Sequence, residues 1–323
     1  MRISLSFFLA ICFVAISTAQ PPTLLPSHFL SGERITLKIA TVTGDTIIGY
    51  CDSGGGFTAV FPNAIDRLHL QSSVKTLSMG TQSVGYISFD ALVQDKSIPP
   101  MIVTSTSPVK EPIFLMPDTA TLRREGQIPE DAFLGQFFFL GKSWTFDYPR
   151  RQVWVHTPLT RNAQTTVMEQ VGFRKSASGE KIFGHPSMKM IVEGDTLDVL
   201  FDSGAMFTLS ANAQSALHRS EQTIGGSFIA RSVFDKWHAQ HPDWTITPQA
   251  DAGADIIEVP RVVIGNNVTV GPVLFSVRPD EVWSRGMVRS MDKVVKGALG
   301  GSAFKYLKVT IDYNSELVAF SKK

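Results

Sequence analysis

Cysteine is almost missing from this sequence: Cys12 and Cys51 are the only two. Cys12 lies in a leading apolar stretch, so a processed chain keeps Cys51 alone and no disulfide framework can hold it. Charge of one sign is missing too. Thirty Lys and Arg stand against 29 Asp and Glu, and no run of like charge offers a footprint for nucleic acid or acidic lipid. Neither a P-loop nor a dinucleotide fingerprint occurs; Gly54-Gly55-Gly56 has the wrong spacing and no lysine. His238 and His241 stand three apart, but no Cys or acidic cluster completes a metal site around them. His69, His156, His185 and His218 are scattered. The composition therefore implies no metal, no organic cofactor and no nucleic-acid partner.

What is present begins with a targeting signature. Arg2 supplies a positive end, residues 3–16 are almost continuously apolar, and Ser17-Thr18-Ala19 is a small-residue cleavage site. A signal peptide is expected over residues 1–19, with an exported product, periplasmic or secreted. The apolar run is short for a bilayer span, so no stable membrane insertion is expected after cleavage. An exported chain without disulfides fits a bacterial periplasm better than a eukaryotic route, where Asn267-Val268-Thr269 would be a glycosylation sequon.

The remaining residues, about 300, suffice for two ordinary domains, and they repeat. Val42-Thr43-Gly44-Asp45-Thr46 and the following Cys51-Asp52-Ser53-Gly54 recur, without a gap, as Val192-Glu193-Gly194-Asp195-Thr196 and Phe201-Asp202-Ser203-Gly204. Phe57-Thr58 returns as Phe207-Thr208 at the same offset of 150. A second element follows at an offset of 165: Ala132-Phe133-Leu134-Gly135 against Gly297-Ala298-Leu299-Gly300, then Thr145-Phe146-Asp147-Tyr148 against Thr310-Ile311-Asp312-Tyr313. The chain is a duplicated unit whose second copy carries a modest insertion between its two elements.

Strands dominate. Ile35-Thr36-Leu37-Lys38-Ile39 alternates toward a Gly44-Asp45 turn and an apolar strand ending at Asp52, and the second copy repeats this hairpin around Gly194-Asp195. Val262-Val263-Ile264 and Val268-Thr269-Val270 form a further hairpin. One helix is expected, with Ser232 as N-cap, Val233, Phe234 and Trp237 on its apolar face and Pro242 as its stop. The polar stretch 156–166 separates the copies, which places one domain over 20–163 and the other over 164–323. The Phe-rich stretch 133–146 reads as core.

Asp-Ser-Gly-Gly at 52–55 admits two chemistries. If Ser53 is a nucleophile it needs a histidine base and an orienting carboxylate, and only His28 precedes it after the leader. That reading leaves the second Asp-Ser-Gly unexplained. If Asp52 is the functional group, the duplication becomes necessary: two carboxylates must flank one water and share one proton. One pKa is then pushed up, the ionised member draws a proton from the water, and the protonated member donates to the substrate carbonyl. Gly54 and Gly204 let the two loops approach, and the Ser53 and Ser203 hydroxyls brace them. A lone Asp-Ser-Gly is an ordinary turn; two at matched positions point to catalysis by Asp52 and Asp202. Asp147 and Asp312, before tyrosines on strands, read as scaffold.

Phe201-Asp202-Ser203-Gly204-Ala205, its partner loop, and the paired segments Phe133-Leu134-Gly135 and Ala298-Leu299-Gly300 resemble the pepsin and retropepsin-like aspartic peptidases. The resemblance implies an all-β fold of two homologous lobes related by a pseudo-twofold axis, with a few short helices. It implies an endopeptidase acting on peptides or unfolded proteins, for which one monomer is sufficient. It also implies a glycine-tipped flap, for which the candidates are Gly80, Thr81 and Gln82 in the first copy and Gly225, Gly226 and Ser227 in the second. A flap in each copy would favour tandem retropepsin-like domains. Gly55 and Gly56 depart from the family's usual small side chains at this point, and pepsin-type disulfides are missing. The other reading that this motivates is a noncatalytic exported module that binds peptides in the same cleft.

Overall fold

The computed structural model describes residues 21–31, 33–79, 81–94, 98, 112–116, 130–157, 159, 166–265 and 267–322. The expected leader at 1–19 and the expected boundary at 163/164 lie outside them. The protein is mostly β, with short helices. An eight-stranded sheet is built from residues of the first copy, a nine-stranded sheet from the second, and a six-stranded sheet from both.

The two larger sheets share one connection. Strand Thr46–Cys51 runs parallel to Ala132–Leu134, which is antiparallel to Ala59–Val60, itself parallel to Pro112–Leu115. In the second copy Asp195–Phe201 runs parallel to Gly297–Leu299, which is antiparallel to Ser227–Ala230, itself parallel to Val273–Arg278. Each catalytic-loop candidate thus leaves a central strand, where both sheet neighbours are fixed. The expected hairpins form. Glu193 and Gly194, both at positive φ, make the two-residue turn between Ser187–Val192 and Asp195–Phe201. Val262–Ile264 pairs with Val268–Val270.

The six-stranded sheet joins the copies. Ser143–Asp147 lies antiparallel to Leu307–Asp312, with Thr145 opposite its own repeat partner Thr310 and their hydroxyls 2.7 Å apart. The core crosses this seam. Phe138, Phe139, Trp144 and Phe146 are fully buried, and the Phe146 ring meets Phe201 of the other copy, which stacks on Phe304 at 4.7 Å. Burying each such ring stabilises the fold by about 2–3 kcal/mol. Asp147 and Asp312 accept hydrogen bonds from backbone N–H groups of the turns that follow them, as scaffold residues do.

The insertion in the second copy is the stretch 206–225. Only the six residues 53–58 separate Asp52 from Ala59, whereas Asp202 is followed by strand Met206–Thr208, helix Ala211–Ala216 and strand Thr223–Gly225 before the equivalent strand begins at Ser227. Phe207, Leu209, Ala213 and Ile224 of this stretch pack on Ala250, Ile256 and Leu274 as a separate small core.

The expected N-cap is corrected. The helix spans Arg231–Gln240 and its cap position is Ala230, because strand Ser227–Ala230 runs straight into it. Ser232 lies inside the first turn and donates, by backbone N–H and hydroxyl, to the Asp280 carboxylate, which satisfies an otherwise orphaned helical N–H from outside. Val233, Phe234 and Trp237 are buried as expected, and the helix ends before Pro242.

Candidate active site

Each Asp-Ser-Gly loop is held from behind by the Leu-Gly segment of its own copy. The Asp52 N–H donates to the Leu134 carbonyl at 3.0 Å and the Asp202 N–H to Leu299 at 2.9 Å. The glycine that follows is required by close packing: a Cβ on Gly135 would lie 2.2 Å from the Gly56 carbonyl oxygen, and one on Gly300 2.6 Å from that of Asp202.

The loops then hold each other. The Ser53 N–H donates to Ser203 Oγ at 3.1 Å, and the Ser203 N–H donates to Ser53 Oγ at 2.9 Å. Ser53 Oγ donates to the Phe201 carbonyl at 3.1 Å, and Ser203 Oγ to that of Cys51 at 3.2 Å. Both serines are buried, so all four bonds are shielded from water. Each glycine makes room for the opposite aspartate. A Cβ on Gly204 would fall 2.2 Å from Asp52 Cγ, and one on Gly54 2.4 Å from Asp202 Cγ. The sequence-predicted Asp52, Ser53, Gly54, Asp202, Ser203 and Gly204 therefore meet at one point.

The two carboxyls are not equivalent. Burial, then the charge of Asp202, pushes the Asp52 carboxyl well above the ordinary range, against the backbone N–H groups of Gly54 and Gly55. Asp202 is also raised by burial, but hydrogen bonds from Asp52 and from the Gly204, Ala205 and Gly54 N–H groups favour its charged form. Asp52 Oδ1 is buried with no acceptor or donor opposite, which suits a neutral acid better than an anion. Burial and the neighbouring charge therefore favour the neutral form more strongly at Asp52 than at Asp202.

Three residues that the sequence did not single out support the site. Tyr50 is buried and donates its hydroxyl to the Gly204 carbonyl at 2.5 Å, with the Arg34 guanidinium 4.9 Å from its ring centroid. Glu33 is buried, and its Oε1 takes both Arg219 at 2.9 Å and Lys305 at 3.1 Å from the second copy. His185, 4% exposed, reaches from the second copy to the Gly55 carbonyl at 2.8 Å. Only the Tyr50 position, beside the repeat motif, carried any signal in the sequence.

The flap candidates divide. In the first copy, Lys75–Met79 and Gln82–Ser88 form a hairpin with Met79 opposite Gln82 and Thr81 exposed at the turn; Gly80 is outside the described residues. In the second copy the expectation is overturned. Gly225, Gly226 and Ser227 are buried and make no hairpin tip. Gly225 ends a strand paired with Met206–Thr208, Gly226 donates its N–H to the Ala205 carbonyl, and Ser227 Oγ accepts from the Gly300 N–H. These glycines serve close approach: a Cβ on Gly225 would meet Glu33 Cβ at 2.5 Å, and one on Gly226 the Phe207 ring at 2.3 Å.

The hairpin in the equivalent topological place is Ile246–Asp251 with Ala254–Val259, turning at Ala252 and Gly253. The insertion pins its tip. The Ala252 N–H donates to the Thr208 carbonyl at 3.0 Å, the Ser210 N–H to that of Ala250 at 2.9 Å, and the Thr208 N–H to Asp251 Oδ1 at 2.7 Å. Asp251-Ala252-Gly253 between two alternating apolar stretches was the available signal. His238 and His241 pack beside Phe234 and Trp244, and no group of three potential metal ligands occurs among the described residues. Among the described residues no helix is long and apolar enough to cross a membrane.

Compared with known proteins, the sequence matches no family model and no curated protein.

Proposed function

We propose that this protein is a hydrolase that acts through a pair of carboxyl groups at the junction of two homologous lobes. More narrowly, it is an exported aspartic endopeptidase of pepsin-like plan, cutting peptides or unfolded proteins, with Asp52 and Asp202 as its dyad. One observation carries the reading: the reciprocal Ser53–Ser203 hydrogen bonds, with Gly54 against Asp202 and Gly204 against Asp52. A pseudo-twofold relation between the lobes accounts for this reciprocity and for the Thr145–Thr310 pairing at the seam. The pinned second hairpin favours a single flap, from the first copy, over tandem retropepsin-like domains.

In this mechanism Asp202, as the carboxylate, takes a proton from a water between the two acids. The resulting hydroxide attacks the peptide carbonyl carbon while the Asp52 carboxyl proton passes to the carbonyl oxygen, giving a neutral gem-diol. As the C–N bond breaks, Asp202 returns its proton to the departing amine nitrogen and one gem-diol hydroxyl passes its proton to Asp52, so the dyad again holds one proton. The test is cleavage of unfolded protein substrates at acidic and neutral pH, with Asp52→Ala and Asp202→Ala as controls. Turnover in the wild type and its loss in both variants is expected. Cleavage that survives both substitutions rejects the dyad, and tight peptide binding by a wild type that never cleaves favours the noncatalytic module.

A further inference from the structure

The carbonyl three residues after each aspartate is braced differently in the two copies. In the second loop the Ala205 carbonyl accepts the Gly226 N–H at 2.8 Å, supplied by the end of the 206–225 insertion. The first copy has no such insertion. Its Gly55 carbonyl instead faces His185 Nε2 at 2.8 Å, while the Gln136 N–H lies nearer the Gly56 carbonyl, at 3.1 Å, than Gly55's, at 3.4 Å. A carbonyl oxygen only accepts, so Nε2 carries the hydrogen. The other ring nitrogen, Nδ1, then accepts from the Ser290 hydroxyl at 2.8 Å; this takes the hydroxyl's one hydrogen from the Met287 carbonyl at 3.1 Å and fixes the ring plane.

The segment bearing His185 is pressed onto the first copy. The Gly184 N–H donates to Gln136 Oε1 at 2.7 Å, and a Cβ on Gly184 would lie 2.6 Å from the Gln136 carbonyl oxygen. The backbone N–H of Gly55, in turn, donates to the Asp52 main-chain carbonyl at 3.1 Å, and from that place it lowers the Asp52 carboxyl.

We propose that His185 is a positioning residue of the first catalytic loop, its imidazole donating Nε2–H to the Gly55 carbonyl and so holding the Gly55 peptide in the turn whose N–H bonds the Asp52 main-chain carbonyl. The proposal rests on the peptidase reading for its kinetic consequence, but the hydrogen bond itself stands apart from it. Burial holds the imidazole neutral down to about pH 4, against the pull of the Gly55 carbonyl. The charged groups on the elements around it are Asp52 in the loop, Arg174, whose guanidinium donates to the Val288 carbonyl, exposed Arg289, and Asp292, whose carboxylate packs on Gly172.

Two measurements on the full chain test this. In ¹⁵N NMR, His185 is expected as the Nε2–H tautomer, neutral at pH 6 and titrating only near pH 4. An Nδ1–H tautomer, or ordinary titration near pH 6.5, overturns the proposal whether or not the protein cleaves peptides. In kinetics, His185→Ala is expected to lower kcat by up to about 100-fold with KM nearly unchanged. A Gly55 peptide that drifts from its place lowers the Asp52 carboxyl less, so that carboxyl rises further and the alkaline limb of the pH profile moves upward. His185→Gln, whose amide nitrogen can stand at the Nε2 position, is expected to recover kcat to within a few-fold and to restore the limb. An unshifted limb and unchanged kcat in a folded His185→Ala variant rejects the positioning role. A wild type with no turnover rejects the peptidase reading, and the NMR result then decides His185 alone.

Discussion

Behind the first Asp-Ser-Gly loop stand glycine and a large ring; behind the second stand two alanines. Gly55 lies against Phe133, so closely that a Cβ would come 2.3 Å from the ring, whereas the repeat partners are buried Ala205 and Ala298. The equivalent carbonyls are braced by an imidazole in one copy and a backbone N–H in the other. One hairpin has Thr81 exposed at its turn; the other is tied to an insertion. The four hydrogen bonds between the loops are nevertheless matched within about 0.2 Å across the copies, since 3.1 Å answers 2.9 Å and 3.1 Å answers 3.2 Å. The bonds that bring the Asp52 and Asp202 loops together are thus alike in the two copies, while the supports around them differ wherever total volume and hydrogen bonding are kept.

The comparison breaks most sharply at the acids themselves. On the proposed mechanism, with the proton on Asp52, Asp52→Asn leaves a neutral group that can still donate to a carbonyl, whereas Asp202→Asn removes the base. Asp202→Asn is expected to cost about 10⁴-fold in kcat and Asp52→Asn one or two powers of ten less. Single-turnover rates on one peptide substrate check the order. A reversed order would place the proton on Asp202.

The serines should show the opposite, equality. Ser53→Ala strips a hydrogen bond from the Ser203 N–H and one from the Phe201 carbonyl; Ser203→Ala does the same to the Ser53 N–H and the Cys51 carbonyl. Leaving two buried groups unpaired costs about 2–4 kcal/mol. Denaturant unfolding should give the same loss for both within about 1 kcal/mol, the scatter expected for equivalent contexts. A large inequality would mean that the loops are less alike than their distances.

Much of this geometry was legible because it is local. The turn at Gly194, the strands leading to Asp52 and Asp202 and the Leu-Gly segments are each set by a few adjacent residues, and the repeat showed them twice. What was missed depends on residues far apart in sequence. Gly225-Gly226 looked like a hairpin tip, yet a glycine that bends and a glycine that lets Glu33 or Phe207 approach are spelled alike. The change of offset announced an insertion, but the gapless match through Phe207-Thr208 hid where it begins, because Phe207 lies in a new strand while Phe57 leads directly into Ala59–Val60. Ser232 looked like a cap because Asp280, its actual partner, lies 48 residues away. Glu33 and His185 are single polar residues whose meaning comes only from the facing copy.

His185 gives a smaller effect with a defined sign. Its folded pKa is lowered to about 4 from 6.5, so the unfolded chain takes up a proton in that window which the native state refuses. Stability should therefore fall by about 3 kcal/mol as pH drops from 6.5 to 4. Asp52 acts oppositely: its raised pKa stabilises the native state in acid, and that contribution is lost as pH rises through its folded value. Thermal unfolding of the wild type and His185→Gln across this range separates them, since the advantage of the wild type should shrink toward pH 4 while the Asp52 contribution is common to both.

The exchange of volume behind the loops gives the smallest effect and the most specific one. Gly55→Ala alone forces a methyl into the Phe133 ring and should cost about 1–3 kcal/mol. Phe133→Ala alone removes ring contacts, including its packing with Tyr50 at 6.2 Å between centroids, and should cost a similar amount because Phe133 is only half-buried. Together they install the second copy's own pair, Ala205 with Ala298, in the first. The ring clash that penalises Gly55→Ala is then gone, leaving only the tighter approach to Asp52 Cγ at 2.9 Å, so the double variant should be more stable than the sum of the single losses predicts, by about 1–2 kcal/mol in a double-mutant cycle. Strict additivity would mean that Gly55 answers some need other than Phe133, and the two loops would then differ in backbone rather than in packing.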